Sequence, residues 1–180
     1  MEKQEVIQAA IEVAKGKGWN QTSVRAIAKK IQYSTIKIYS DFGSKEALLQ
    51  EVQHQGFLLI REEYEKAIQI EETAEKKLVA LTLAHYAFAI DQKEYYELMF
   101  QMGGTNCQVS DRDIMFRTSQ PIRDLIFQIG GRVDKTLFFN WWVIAHGFVV
   151  VVGQDPLIPR AEAVDMLSDI TQNFIKSIVS

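Results

Sequence analysis

The chain has 180 residues but only one cysteine, three prolines and no unbroken apolar stretch of membrane-spanning length. Each shortage excludes something. A lone Cys107 cannot close an internal disulfide, which suits a reducing compartment, and nothing beside it marks it as more than an inert loop thiol. So few prolines leave room for long helices and argue against a turn-rich β fold. The longest apolar run, residues 137–152, is interrupted by Asn140 and His146. It falls short of the roughly 18 continuous residues of a membrane helix and reads as a buried interior helix. The opening stretch, MEKQEVIQAA, lacks the apolar centre of a signal peptide. The expectation is a cytoplasmic protein without membrane contact. Catalytic signals are missing as well. His54, His85, His146 and Cys107 show no metal-ligand spacing, and there is no nucleophile elbow and no glycine-rich phosphate loop. The chain is therefore not expected to be an enzyme or to hold a cofactor or metal.

What is present is ordinary in amount and uneven in distribution. Apolar residues make up 47% and charged residues 24%, as in a globular protein with a real core. Net charge is −3, yet residues 1–46 carry eight Lys/Arg against five acids, a net of +3. The remaining twelve Lys/Arg meet eighteen acids over residues 47–180, a net of −6. A basic end on an acidic body suits a protein that presents one end to phosphate.

Hydrophobic residues recur at helical spacing throughout, and no segment alternates convincingly with period two, so the fold class is all-α. Val6, Ile7, Ala10, Ile11, Val13 and Ala14 define a first helix over 3–16, ended by Gly16 and Gly18. Thr22 is a suitable N-cap for a second helix whose inner face is Val24, Ile27, Ala28 and Ile31. A third short helix spans about Ser34 to Ser40, and Ser44 caps a long fourth over about 44–70. Further helices are expected near 73–91, 92–102, 110–129, 134–153 and 160–178, nine in all. Ser110 with Asp113 resembles a capping box for the seventh, which Pro121 would kink or split, and Asp134 can cap the eighth. GGTNCQVSD is the clearest loop of the body.

The segment TSVRAIAKKIQYSTIKIYSDFGSKEALL, residues 22–49, is a short helix, a tight break, a second short helix and the start of a long one. That is a helix-turn-helix pattern, in which the second helix is free to enter a DNA groove. Ser34, Thr35 and Lys37 are polar candidates at the start of that helix, and Ile38 is its inward anchor. Tyr39 and Lys45 can reach phosphate, and the helix N-terminus itself favours anions. With Ser34, Tyr39, Phe42, Lys45, Leu48 and Leu49 at these spacings, the stretch resembles the DNA-binding domain of tetracycline-repressor (TetR) family regulators. Upstream, G-W-N-Q-T-S-V-R-A-I-A is similar too.

The resemblance covers about residues 5–50. It implies a helix-turn-helix domain over 1–46 and a helical effector-binding and dimerisation domain over 47–180. DNA contacts would then fall to Thr22, Ser34, Thr35, Ile36, Lys37, Tyr39 and Lys45. Three departures from the family pattern bear on the operator sequence. Ile36 replaces a small residue and could meet a thymine methyl group. Asp41 replaces an aromatic or histidine near the expected phosphate path, where an acid weakens binding unless a lysine offsets it. Gln32-Tyr33 replaces a Gly-Val turn. The resemblance also implies a homodimer through the last two helices, which fits LFFNWWVIAHGFVVVV and the near-heptad Ala163, Val164, Leu167, Ile170, Phe174 and Ile178. Gly147 would let helices approach closely. A small-molecule effector, apolar or aromatic and otherwise unspecified, would sit among His85, Tyr86, Met99, Phe100, Phe116, Phe127, Trp142 and His146, the last more simply a core histidine. The function implied is a ligand-responsive regulator, a repressor in the commoner case, on a palindromic operator. The competing reading is a helical interaction module that does not bind DNA, supported by the acidic body and Asp41.

Overall fold

The computed structural model describes residues 3–100, 102, 112–132, 135–153 and 155–179. Among these there are ten α-helices and no strand. They are α1 (Lys3–Lys17), α2 (Val24–Lys30), α3 (Thr35–Phe42), α4 (Lys45–Gln69), α5 (Ala74–Asp91), α6 (Lys93–Met99), α7 (Arg112–Thr118), α8 (Gln120–Gly130), α9 (Lys135–Val151) and α10 (Arg160–Val179). Cys107, the loop 103–111, the Ser110 capping box and the Asp134 cap lie outside the described residues.

Two sequence expectations are corrected. Among the described residues the count is ten α-helices rather than nine, because the expected seventh helix breaks at Ser119. Pro121 enters in the first turn of α8, where a missing N–H breaks no helical bond. The Arg123 guanidinium holds the break together: it donates to Phe116 O at 2.7 Å, to Gln120 Oε1 at 2.8 Å and to Ser119 Oγ, with its carbon 3.9 Å from the Phe116 ring centre. The second correction concerns the cap of α2. A 3₁₀ turn, Trp19–Gln21, precedes Thr22 and draws its amide to Trp19 O. The Thr22 hydroxyl turns back to Gly18 O at 2.9 Å. Ser23, in extended backbone, caps instead and accepts from Ala26 N at 3.2 Å.

Packing gathers the chain into two compact units. One comprises residues 1–58 and 92–114. Its core holds Ile7, Ala10 and Ile11 of α1, Ile27 of α2, Ile38 of α3, Leu48 and Val52 of α4, and Leu98 and Met99 of α6. Polar bonds fix α6 there: Trp19 Nε1 donates to Glu94 O at 2.8 Å, and buried Gln53 donates to Leu98 O at 2.9 Å. The other unit comprises 59–91 and 115–180, with α5 packed against α8, α9 and α10. Leu78, Leu81, Ile126, Trp141, Ala145 and Leu167 form its core. Arg160 grips Asp91 with two bonds of 2.7 Å, tying the start of α10 to the end of α5. At Gly130 the α8 backbone runs so close to α10 that an added Cβ would lie 2.3 Å from Ile178 Cγ2. Gly147, by contrast, has nothing within 4 Å of a Cβ among the described residues, so none of their helices approaches closely there.

Candidate nucleic-acid interface

The turn between α2 and α3 is built by backbone bonds at the end of α2. Tyr33 N donates to Ala28 O at 2.8 Å and Gln32 N to Lys29 O at 3.4 Å, the paired pattern of a Schellman cap. That cap needs a left-handed residue, and Gln32 supplies it with φ 53°. The turn geometry is therefore of the kind a glycine would take, held by a residue that adopts it at a cost. Ser34 then caps α3 by accepting from Ile36 N at 3.1 Å. Ile38 is the buried anchor, as expected. Gly43, with φ 82°, ends α3, and Ser44 caps α4 by accepting from Ala47 N at 3.0 Å.

This scaffold leaves one side of α3 in solvent. Ser34, Ile36, Lys37, Tyr39 and Ser40 are exposed, and Thr35 and Lys45 are half-buried beside them. Ile36 is 79% exposed, a large apolar side chain without cover at the start of a short helix. Lys37 Nζ bonds to Asp41 one turn on, so the acid expected to repel phosphate is offset by its own lysine. That bond, above all, pushes the Lys37 pKa up. Lys30 pairs with Glu12 at 3.0 Å, and Lys3 Nζ sits 5.4 Å from the Phe42 ring centre. Thr22 departs from expectation. It is 1% exposed with hydroxyl and amide both engaged inside the chain, so its place is that of a post beneath α2.

Residues 6–52, which span this motif, match the family profile of bacterial regulatory proteins, tetR family. That match covers 47 of the 180 residues, so the likeness to tetR-family regulators is carried by the N-terminal segment. The chain is 21% identical to the uncharacterized HTH-type transcriptional regulator YobS of Bacillus subtilis (strain 168), over 97% of this chain and 91% of that protein. A bacterial regulatory protein in the tetR family from Rhodococcus RHA1 has the same fold at TM-score 0.74 and 16% identity, covering 98% of this chain and 96% of its own. The TetR-family regulator PfmR of Thermus thermophilus is similar at TM-score 0.72 and 16% identity, covering 95% and 97%. The N-terminal segment is thus built like the helix-turn-helix of tetR-family proteins, and the fold of the chain is like that of the solved tetR-family structures. No described helix is long and apolar enough to cross a membrane, and no three described His, Cys, Asp or Glu residues are grouped to hold a metal ion.

The residues expected around an effector fall into separate places. His85, Trp142 and His146 come together: Trp142 meets His85 edge-on at 5.9 Å and stacks on His146 at 5.1 Å. His85 is fully buried, and burial, with His146 nearby, holds its pKa down to about 3. Its Nδ1 lies 2.6 Å from the Tyr64 hydroxyl, and Trp141 Nε1 donates to Thr82 Oγ1 at 2.9 Å beside it. Tyr64 and Thr82 were not among the sequence candidates. Their partners are 21 and 59 residues away, beyond any local pattern. Tyr86 packs edge-on to Phe148 at 5.6 Å. Met99 and Phe100 belong to the first unit, where Phe100 meets Phe57 and Tyr96. Phe116 and Phe127 are 61% and 55% exposed. A groove of about 620 Å³ lies between α5 and α10, lined by Val79, Ala80, Leu83, Ile175 and the charged Glu75 and Lys176, and includes none of the eight candidates.

Proposed function

We propose that the chain acts as a homodimeric, ligand-responsive repressor whose α3 helices enter the major groove of a palindromic operator. Residues 1–46 would serve as the DNA-binding domain, and residues 47–180 as the effector-binding and dimerisation domain. The observation that carries this reading is the exposed start of α3, where Ile36, Lys37 and Tyr39 stand clear of the core, beside half-buried Thr35, on a buried Ile38 anchor. Side chains of that size and polarity at a helix N-terminus can meet base edges, while Tyr39 and Lys45 reach the flanking phosphates. A gel shift against the promoter of the protein's own or a neighbouring gene, run at several salt concentrations, tests it. Binding at low salt that Lys37→Ala with Lys45→Ala weakens is expected. No retardation of any duplex would sink the reading.

The dimer is supported by an apolar stripe on α9 that is exposed among the described residues. Phe139, Val143 and Val150 are exposed around Gly147, and α10 adds exposed Met166 and Ile170 four residues apart. Apolar side chains at this spacing suit a helix seam with a second copy. Sedimentation at micromolar concentration should give twice the chain mass, and Val143→Asp should return the single-chain mass. For the effector, the ring cluster of buried His85 with half-buried Trp142 and His146 suits an apolar or aromatic molecule. Its binding would draw the paired α3 helices out of step with half-sites about 34–36 Å apart.

A further inference from the structure

We propose that Asp41 is a specificity-determining residue, which holds Lys37 away from the phosphates of non-operator DNA and surrenders it only on a closely fitting duplex. Asp41 occupies the last turn of α3, where the partial negative charge of the helix end disfavours an acid, and aspartate is a poor helix former. Local helix energetics therefore do not account for it. The partner it has is Lys37, one turn earlier on the face that meets solvent. The lysine is the outer member of the pair and the carboxylate the inner one, with side chains 52% and 19% exposed. A phosphate can reach the ammonium group but has to displace a carboxylate already bonded to it. With lysine N-terminal to the acid, the pair has the weaker of the two orientations at this spacing, and exposed pairs are worth little. Exchange is therefore open to a phosphate pressed against α3 and is disfavoured for a loosely held duplex. Binding to non-operator DNA is almost wholly phosphate attraction, so sequestering one cation per α3 weakens it more than it weakens operator binding.

The test uses the full-length chain and a fluorescent duplex of scrambled sequence, titrated at several potassium chloride concentrations. Asp41→Asn should bind this duplex several-fold more tightly, and its plot of log affinity against log salt should steepen by about 0.9 for each α3 engaged. Asp41→Ser should act in the same direction, which separates loss of the carboxylate from any effect of the new amide. Placed in a Lys37→Ala background, Asp41→Asn should bring little of this gain. A gain that survives in that background, or that Glu46→Gln reproduces in full, means a bare repulsive charge and overturns the proposal. An unchanged slope in Asp41→Asn overturns it too. If the wild-type chain does not bind the duplex even at low salt, the DNA-binding surface itself fails along with this role.

Discussion

Among the described residues, Gln32 is the one non-glycine held at positive φ. With φ 53°, it occupies the left-handed position of the cap that ends α2. A non-glycine residue there costs roughly 1–2 kcal/mol, whereas glycine gives back part of that gain through a more flexible unfolded chain. Gln32→Gly is expected to stabilise the protein by about 0.5–1 kcal/mol, read as a thermal midpoint a few degrees higher. A lower midpoint would mean that the glutamine side chain matters more than its backbone. At this scale the sequence was a good guide wherever the signal was local. Ser34 and Ser44 cap the helices that follow them, and Ile38 anchors α3, all within four residues of what they bond or bury. Thr22 misled because Thr22 and Ser23 are both fair caps, and the choice between them falls to the turn at Trp19–Gln21.

Among elements, the contact between α8 and α10 is the tightest test of packing. Gly130→Ala would drive a methyl group to 2.3 Å from Ile178 Cγ2, so one helix or the other must shift. A cost of about 1–3 kcal/mol in denaturant unfolding is expected. Ile178→Ala removes the opposing methyl, so the double variant should be more stable than the two single losses predict together; strict additivity would contradict the contact. Helix periodicity placed the helical stretches to within a few residues but missed the 3₁₀ turn at Trp19–Gln21. It could not count them, because Pro121 permitted either a kink or a break. What decided was Arg123 bonding to Phe116 O and Gln120 Oε1, a join that no periodicity encodes.

At the scale of the whole molecule, acid sensitivity follows from the buried histidine. His85 keeps its proton off until about pH 3, whereas an unfolded histidine takes one up near 6.5. Above pH 6.5 both states are neutral and His85 contributes nothing to the pH dependence. Between 6.5 and about 3 only the unfolded chain binds the proton, so stability falls as pH falls, by up to roughly 1.4 kcal/mol per unit. His146, lowered by burial, acts in the same direction. Denaturant unfolding at pH 7.5 and 5.0 should show this loss, and His85→Gln should reduce it; an equal loss in the variant would rule out His85 as its source. The all-helical fold and the likeness to tetR-family regulators were legible because the helix-turn-helix is one contiguous stretch. The interior of the body was not. Tyr64 meets His85 and Trp141 meets Thr82 only after distant segments fold together, so a list of aromatics could not separate the buried cluster from exposed Phe116 and Phe127.

Gly147 leaves one consequence. A glycine inside a helix is less stable than alanine there by about 0.8–1 kcal/mol, and no described residue of this chain occupies the space a methyl group would fill. Folding of the single chain thus gives no reason for its presence, and alanine would serve that purpose better. If the open side of α9 meets a second copy, Gly147→Ala should separate two quantities that usually move together. The isolated chain should become about 1 kcal/mol more resistant to unfolding, while the concentration at which half the chains pair should rise. Measuring both on one variant would show whether this position was shaped by the monomer or by its partner.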